Sequence, residues 1–173
     1  MREYFKYTLI ALGVAIVAKL TIFYIDPLHM QSRVLFIMAA PLITVIFLYP
    51  GMVATRNKEF GGYITGKLAT AGGVRIAAIA GVFNGLFDYL YYAVINKQVL
   101  AYHLAQNIAI IKNSGDSPFM IEKSIGGVTN FFTPFMQATF PMFITICAGF
   151  FFTIVFAYFI RRYRPGEKSS LQA

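Results

Sequence analysis

Two residues in this chain carry charge deep inside long apolar runs, past their midpoints: Lys19 within residues 7–25, and Asp88 within residues 74–95 (VRIAAIAGVFNGLFDYLYYAVI), whose other charge, Arg75, sits at its edge. A carboxylate held away from water has its proton affinity raised by desolvation and lowered by a nearby cation, which is the chemistry of a proton- or cation-coupled site. The plainer use of the same residues is a structural ion pair, because pairing removes the cost of two isolated charges in hydrocarbon. Measured from the centres of their runs, both lie about 5 Å toward the same end at a rise of about 1.5 Å per residue. That shared depth favours the pair. Asn84, one helical turn before Asp88, calls for an interhelical hydrogen bond and joins Asp88 and Lys19 as a candidate.

Other chemistry finds little support. His29 and His103 fall in separate connections with no carboxylate cluster beside them, which is poor material for a metal site. No Ser/His/Asp or Cys/His set, no glycine loop with its following lysine and no HExxH occurs. The expectation is a protein without enzymatic activity, metal or cofactor. Cys147, the single cysteine, reads as a small buried hydrophobe.

The elements that position these residues follow from composition. Only 13% of residues are charged and 58% are hydrophobic, with a mean hydropathy of +0.64, whereas soluble domains carry about 25% charged residues. About 20 consecutive apolar residues cross the hydrocarbon core, and the chain offers four such runs, at 7–25, 34–54, 73–95 and 138–160. The fold class is therefore all-α: a polytopic membrane protein in one domain over 1–173, with a longer connection between the third and fourth spans. Residues 99–111 look helical within that connection. Residues 131–141 suit a short tilted or re-entrant lead-in, and 161–173 form a polar tail. Pro41 and Pro50 mark kinks in the second span. Gly72-Gly73 marks the start of the third.

Within 74–95, Gly81, Asn84, Gly85 and Asp88 share one face, so Gly81 and Gly85 are the expected helix-packing residues. Tyr89, Tyr91 and Tyr92, with Tyr102 beyond, suit an interfacial aromatic belt. The net charge of +8 reports topology and anionic lipid rather than nucleic acid. Of the fifteen Lys and Arg, ten (Arg2, Lys6, Arg56, Lys58, Lys67, Arg75, Arg161, Arg162, Arg164 and Lys168) fall on the side of the termini. Four (Arg33, Lys97, Lys112 and Lys123) fall opposite, and Lys19 is internal. This bias places both termini in the cytoplasm, with Arg75, Arg161, Arg162 and Arg164 at the cytoplasmic interface. Arg75 sits just inside, where a long side chain reaches the headgroups.

Four spans, the connection 56–66 with Gly61-Gly62-Tyr63-Ile64-Thr65-Gly66, and the small-residue helix ending in Asp88-Tyr89-Leu90-Tyr91-Tyr92 together resemble the domain of unknown function 4199 family of small Bacteroidota membrane proteins. The chain departs from that pattern at 99–111, which is neutral and apolar here where relatives are richer in acidic residues. The resemblance implies a bacterial inner-membrane location and no established activity. It also hints at partnership with a membrane glycosyltransferase system.

The leading functional expectation is a scaffold or accessory subunit that packs against other membrane proteins or copies of itself within the bilayer. The alternative is a small oligomeric ion- or proton-coupled transporter or channel using Asp88.

Overall fold

A computed structural model describes residues 2–161. Arg162 and Arg164 of the expected interface lie outside the described residues. Six α-helices run in the order α1 (Arg2–Ile25), α2 (Arg33–Glu59), α3 (Gly66–Leu90), α4 (Lys97–Lys112), α5 (Pro118–Phe131) and α6 (Pro134–Ile160), and α3 continues into a π-helical turn, Tyr91–Ile95. Four of them, at Glu3–Ile25, Arg33–Glu59, Gly66–Ile95 and Pro134–Ile160, are long and apolar enough to cross a membrane. The protein is a polytopic four-span bundle. One end carries Glu3, Glu59 and Ile160 and is called here the terminal end; the other carries the α4–α5 hairpin.

The chain reverses between α1 and α2 at Asp26-Pro27, since the proline ring disfavours helix at the residue before it. The Asp26 carboxylate then accepts the N–H groups of Met30, Gln31 and Ser32 and the Ser32 hydroxyl at 2.9–3.1 Å. These donors, led by Gln31, hold its carboxyl well below the ordinary range. One side chain thereby satisfies three backbone donors of the turn that leads into α2. Gly61 and Gly62 turn the chain with positive φ, and Thr65 caps α3 by accepting from Leu68 N.

The core is built from small residues. On α6, Ala138, Pro141, Thr145, Gly149, Thr153 and Ala157 are buried at three- and four-residue spacing. They face the buried Gly73, Ala77, Gly81 and Gly85 of α3. The fit is close: a Cβ added to Gly73 would lie 2.6 Å from Thr153, one on Gly81 2.5 Å from Ile146, and one on Gly85 3.0 Å from Met142. Without a hydrophobic drive between helices in lipid, such backbone approach is what gains packing energy. The opposite faces carry exposed Phe135, Phe140, Phe143, Phe150, Phe151 and Phe159.

Several expectations change. The third span begins at Gly66, so Gly72-Gly73 lies within the helix, held for close packing: the Tyr4 ring and Thr153 fill the space their missing side chains leave. Residues 134–141 form no separate lead-in, because Pro141 is absorbed within a continuous α6. The connection contains a second helix, α5, opened by Pro118 at its first turn. Cys147 is exposed on the lipid-facing side of α6 rather than buried.

Gly81→Ala should destabilise the bundle by about 1–3 kcal/mol through overpacking against Ile146. Gly126→Ala, with nothing within 4 Å of the new methyl group, should be neutral or stabilise by about 0.5–1 kcal/mol. Reversible unfolding in mixed micelles measures both.

Candidate functional site

The site forms where α1, α2 and α3 meet toward the hairpin end. On α1, Ala11, Ala15, Lys19 and Ile22 recur at one face and are buried. The methyl side chains let α1 approach α3 closely, and Lys19 then crosses the gap. Its Nζ donates to both carboxylate oxygens of Asp88, at 2.5 and 2.7 Å. Both side chains have no exposed surface. The pair is bidentate on the acid, enclosed and roofed by an aromatic ring, with the ammonium 5.0 Å from the Phe36 ring centroid.

Above Phe36 lies a second polar cluster. Its ring contacts His29 at 4.5 Å and Tyr91 at 4.8 Å between centroids. The His29 Nε2 is 2.7 Å from the Tyr91 hydroxyl. The Asn96 amide donates one hydrogen to that hydroxyl at 2.8 Å and the other to Pro27 O at 2.6 Å. Tyr91 Oη thus accepts from Asn96 and shares a second hydrogen bond with His29 Nε2, whose direction follows the imidazole tautomer. Nδ1 faces Ser32 Oγ at 3.5 Å, and Ser32 donates on to Asp26. His29 takes the left-handed backbone conformation, φ +51°, at a cost of about 1–2 kcal/mol. The π-helical turn supplies the geometry on the other side, with Asn96 N donating to Tyr91 O, five residues back, at 2.7 Å. Together these contacts latch the α1–α2 turn to the end of α3.

The remaining candidates separate cleanly. Asn84 does not reach another helix through its amide: Nδ2 donates to Ala80 O, one turn back on α3, and Oδ1 has no partner. Gly81 and Gly85 are spent inside the molecule on α6. Arg75 is exposed at the terminal end, and Arg161 lies over the Tyr158 ring at 4.2 Å. Tyr91 and Tyr92 are buried rather than interfacial, while Tyr89 remains exposed. Their inward placement was legible in the spacing, since 91 and 92 follow Asp88 at three and four residues. The His29–Tyr91–Asn96 latch as a whole had no such signal, because His29 comes from the α1–α2 turn and Tyr91 and Asn96 from the end of α3, two segments that only the fold brings together. His103 is buried against Phe132 with Nε2 unpartnered. Among the described residues no group of His, Cys, Asp or Glu has metal-site geometry.

Burial lowers the pKa of both histidines below 6.5. For His29, the Asp26 carboxylate works against burial, whereas His103 and Arg33 reinforce it. A histidine whose folded pKa lies below its unfolded one stabilises the fold above the unfolded value, and that contribution is lost as pH falls toward the folded value. The hairpin end should therefore loosen as pH drops below about 6.5, seen as faster amide exchange at 26–32. His29→Gln should flatten that dependence.

Lys19→Met or Asp88→Leu alone should each cost about 3–5 kcal/mol by stranding a buried partner. The double variant should recover much of the loss, and additive losses in a double-mutant cycle would show that the two groups are not coupled.

The family described as "Protein of unknown function (DUF4199)" matches the chain over residues 7–162. No curated protein and no solved structure matches.

Proposed function

We propose, for a chain that belongs to the DUF4199 family and takes no established activity from it, a role as a non-enzymatic scaffold or accessory subunit of the bacterial inner membrane. Both termini face the cytoplasm, by the excess of Lys and Arg at the terminal end. The observation that carries this reading is α5. None of its fourteen residues is buried, and Phe119, Met120 and Phe131 stand exposed. The small-residue faces do not serve the role, since α3 and α6 consume them on each other. The charged groups of the bundle interior are paired and closed off as well. What the fold leaves unfilled is the outward surface of the α4–α5 hairpin, and another membrane protein or a second copy of the chain is the occupant that suits an accessory subunit.

A second reading, an oligomeric transporter coupled through Asp88, draws on one feature. Asn84 Oδ1 and Thr44 Oγ1 are buried without partners. The contacts of Gly51 with Ile76 and of Phe36 with Tyr91 set Thr44 level with Asn84 across antiparallel helices. Unfilled hydrogen-bonding capacity one turn from a buried carboxylate is where a coupling ion would pause. An unchanged pH-dependent flux in Asp88→Asn proteoliposomes would dispose of this reading.

A photo-crosslinking residue at position 119, compared with one at Phe151 on the lipid face, tests the scaffold role in native membranes. The expected result is a discrete protein adduct from position 119 and lipid adducts alone from 151. Lipid adducts alone from both would make α5 an interfacial anchor and end the scaffold reading.

A further inference from the structure

At the terminal end, α1 and α3 diverge around a crevice of about 140 Å³ lined by Tyr4, Phe5, Thr8, Arg75, Ile76 and Ile79. It opens sideways, past Phe5 at 54% and Ile79 at 36% exposure, onto the flank of two membrane-spanning helices. Its polar atoms are few. The Thr8 hydroxyl is already donated to Tyr4 O at 2.9 Å, so the one charged group at the crevice is the Arg75 guanidinium. Among the described residues no carboxylate pairs with Arg75; the ion pairs there join Glu3 to Lys6 and Lys58.

An exposed arginine at this depth, unpaired among the described residues, is open to an anion from outside. Tyr4 packs on Gly72 and Lys19 bonds Asp88, and these two contacts place Arg75 level with Lys6, the last charged residue before the apolar stretch of α1. Lys6 to Ile25 spans about 28 Å at 1.5 Å per residue, close to the hydrocarbon thickness of about 30 Å. Arg75 therefore stands at the boundary between hydrocarbon and headgroups. Guanidinium matches phosphate with a planar, bidentate fork. The walls below it, Phe5 and Ile79, are apolar.

We infer that the α1–α3 crevice is a binding site for an anionic phospholipid of the leaflet at the terminal end, with its phosphate on Arg75 and one acyl chain lying between Phe5 and Ile79. Charge complementarity selects the headgroup, and the lateral apolar opening selects a lipid over a soluble phosphate. The site is independent of the hairpin and of any partner there.

Native mass spectrometry of the full chain, released from vesicles of equimolar phosphatidylglycerol and phosphatidylcholine, tests this. The wild type should retain one phosphatidylglycerol, enriched at least fivefold over phosphatidylcholine. Arg75→Gln should abolish the enrichment and Arg75→Lys should keep part of it. Ile79→Trp, which fills the crevice without touching the charge, should lower retention of the bound lipid. Lys112→Gln at the opposite end should change nothing. Equal retention of the two lipids by the wild type, or enrichment undiminished in both Arg75→Gln and Ile79→Trp, would overturn the assignment. Release of the bound lipid by millimolar inorganic phosphate would overturn it as well, by showing that the anion alone is recognised. If Arg75→Gln fails to fold, Ile79→Trp decides.

Discussion

A lysine and an aspartate within hydrocarbon impose one condition on everything around them: they must find each other, and nothing else charged can be near. Each isolated ion would cost several kcal/mol even after relaxation. Lys19 and Asp88 come from helices separated by the whole of α2, so their contact at 2.5 Å fixes the depth of α1 against α3. It also fixes rotation. Lys19 faces inward only if Ala11 and Ala15 do, and Asp88 only if Gly81, Asn84 and Gly85 do. The alanine face of α1 and the glycine face of α3 are thus consequences of one polar contact as much as contributors to packing. A buried pair of this kind adds little net stability compared with an apolar substitute, and its contribution here is register.

The same condition explains the layer above it. Phe36 lies between the ammonium and the His29–Tyr91–Asn96 cluster. An aromatic face stabilises the cation without offering it a competing carboxylate or water. The cluster beyond Phe36 has to satisfy its own groups, and it does so with two unusual backbone features, a left-handed His29 and a π-helical turn. Neither is favourable alone. Both persist because the contacts between them over-determine the local geometry. The turn delivers Asn96 to a hydroxyl and a carbonyl at once, which a continued α-helix would carry past them.

Much of this was legible in the sequence. Run length and the scarcity of charge define four spans, since the bilayer demands internally bonded helices of a set length. The depth match of Lys19 and Asp88 is simple arithmetic on helix rise. What was not legible depended on chain segments meeting without periodicity. Residues 118–131 contain a proline and two adjacent glycines, which interrupt a helical pattern, yet the proline occupies the first turn where its missing N–H is harmless. Pro141 suggested a break, but neighbouring helices absorb the lost bond. Asn84 was assigned an interhelical bond because a buried amide needs partners; the fold meets half of that need within α3 and leaves Oδ1 open.

The two ends of the bundle solve the charge problem in opposite ways, and the difference bears on where the protein can interact. At the hairpin end, His29, Tyr91 and Asn96 are folded inward and spent on one another, and α5 above them keeps Phe119, Met120 and Phe131 exposed among polar residues. At the terminal end, Glu3 bridges Lys6 and Lys58, while Arg56 donates to Ile160 O at 3.3 Å, closing one helix end with the side chain of another. Arg75 is set beside an apolar crevice, and among the described residues no carboxylate pairs with it. The bundle settles the charges of its interior on one another, and what it leaves at its surface is a second hairpin helix with no buried residue and an arginine beside an apolar crevice.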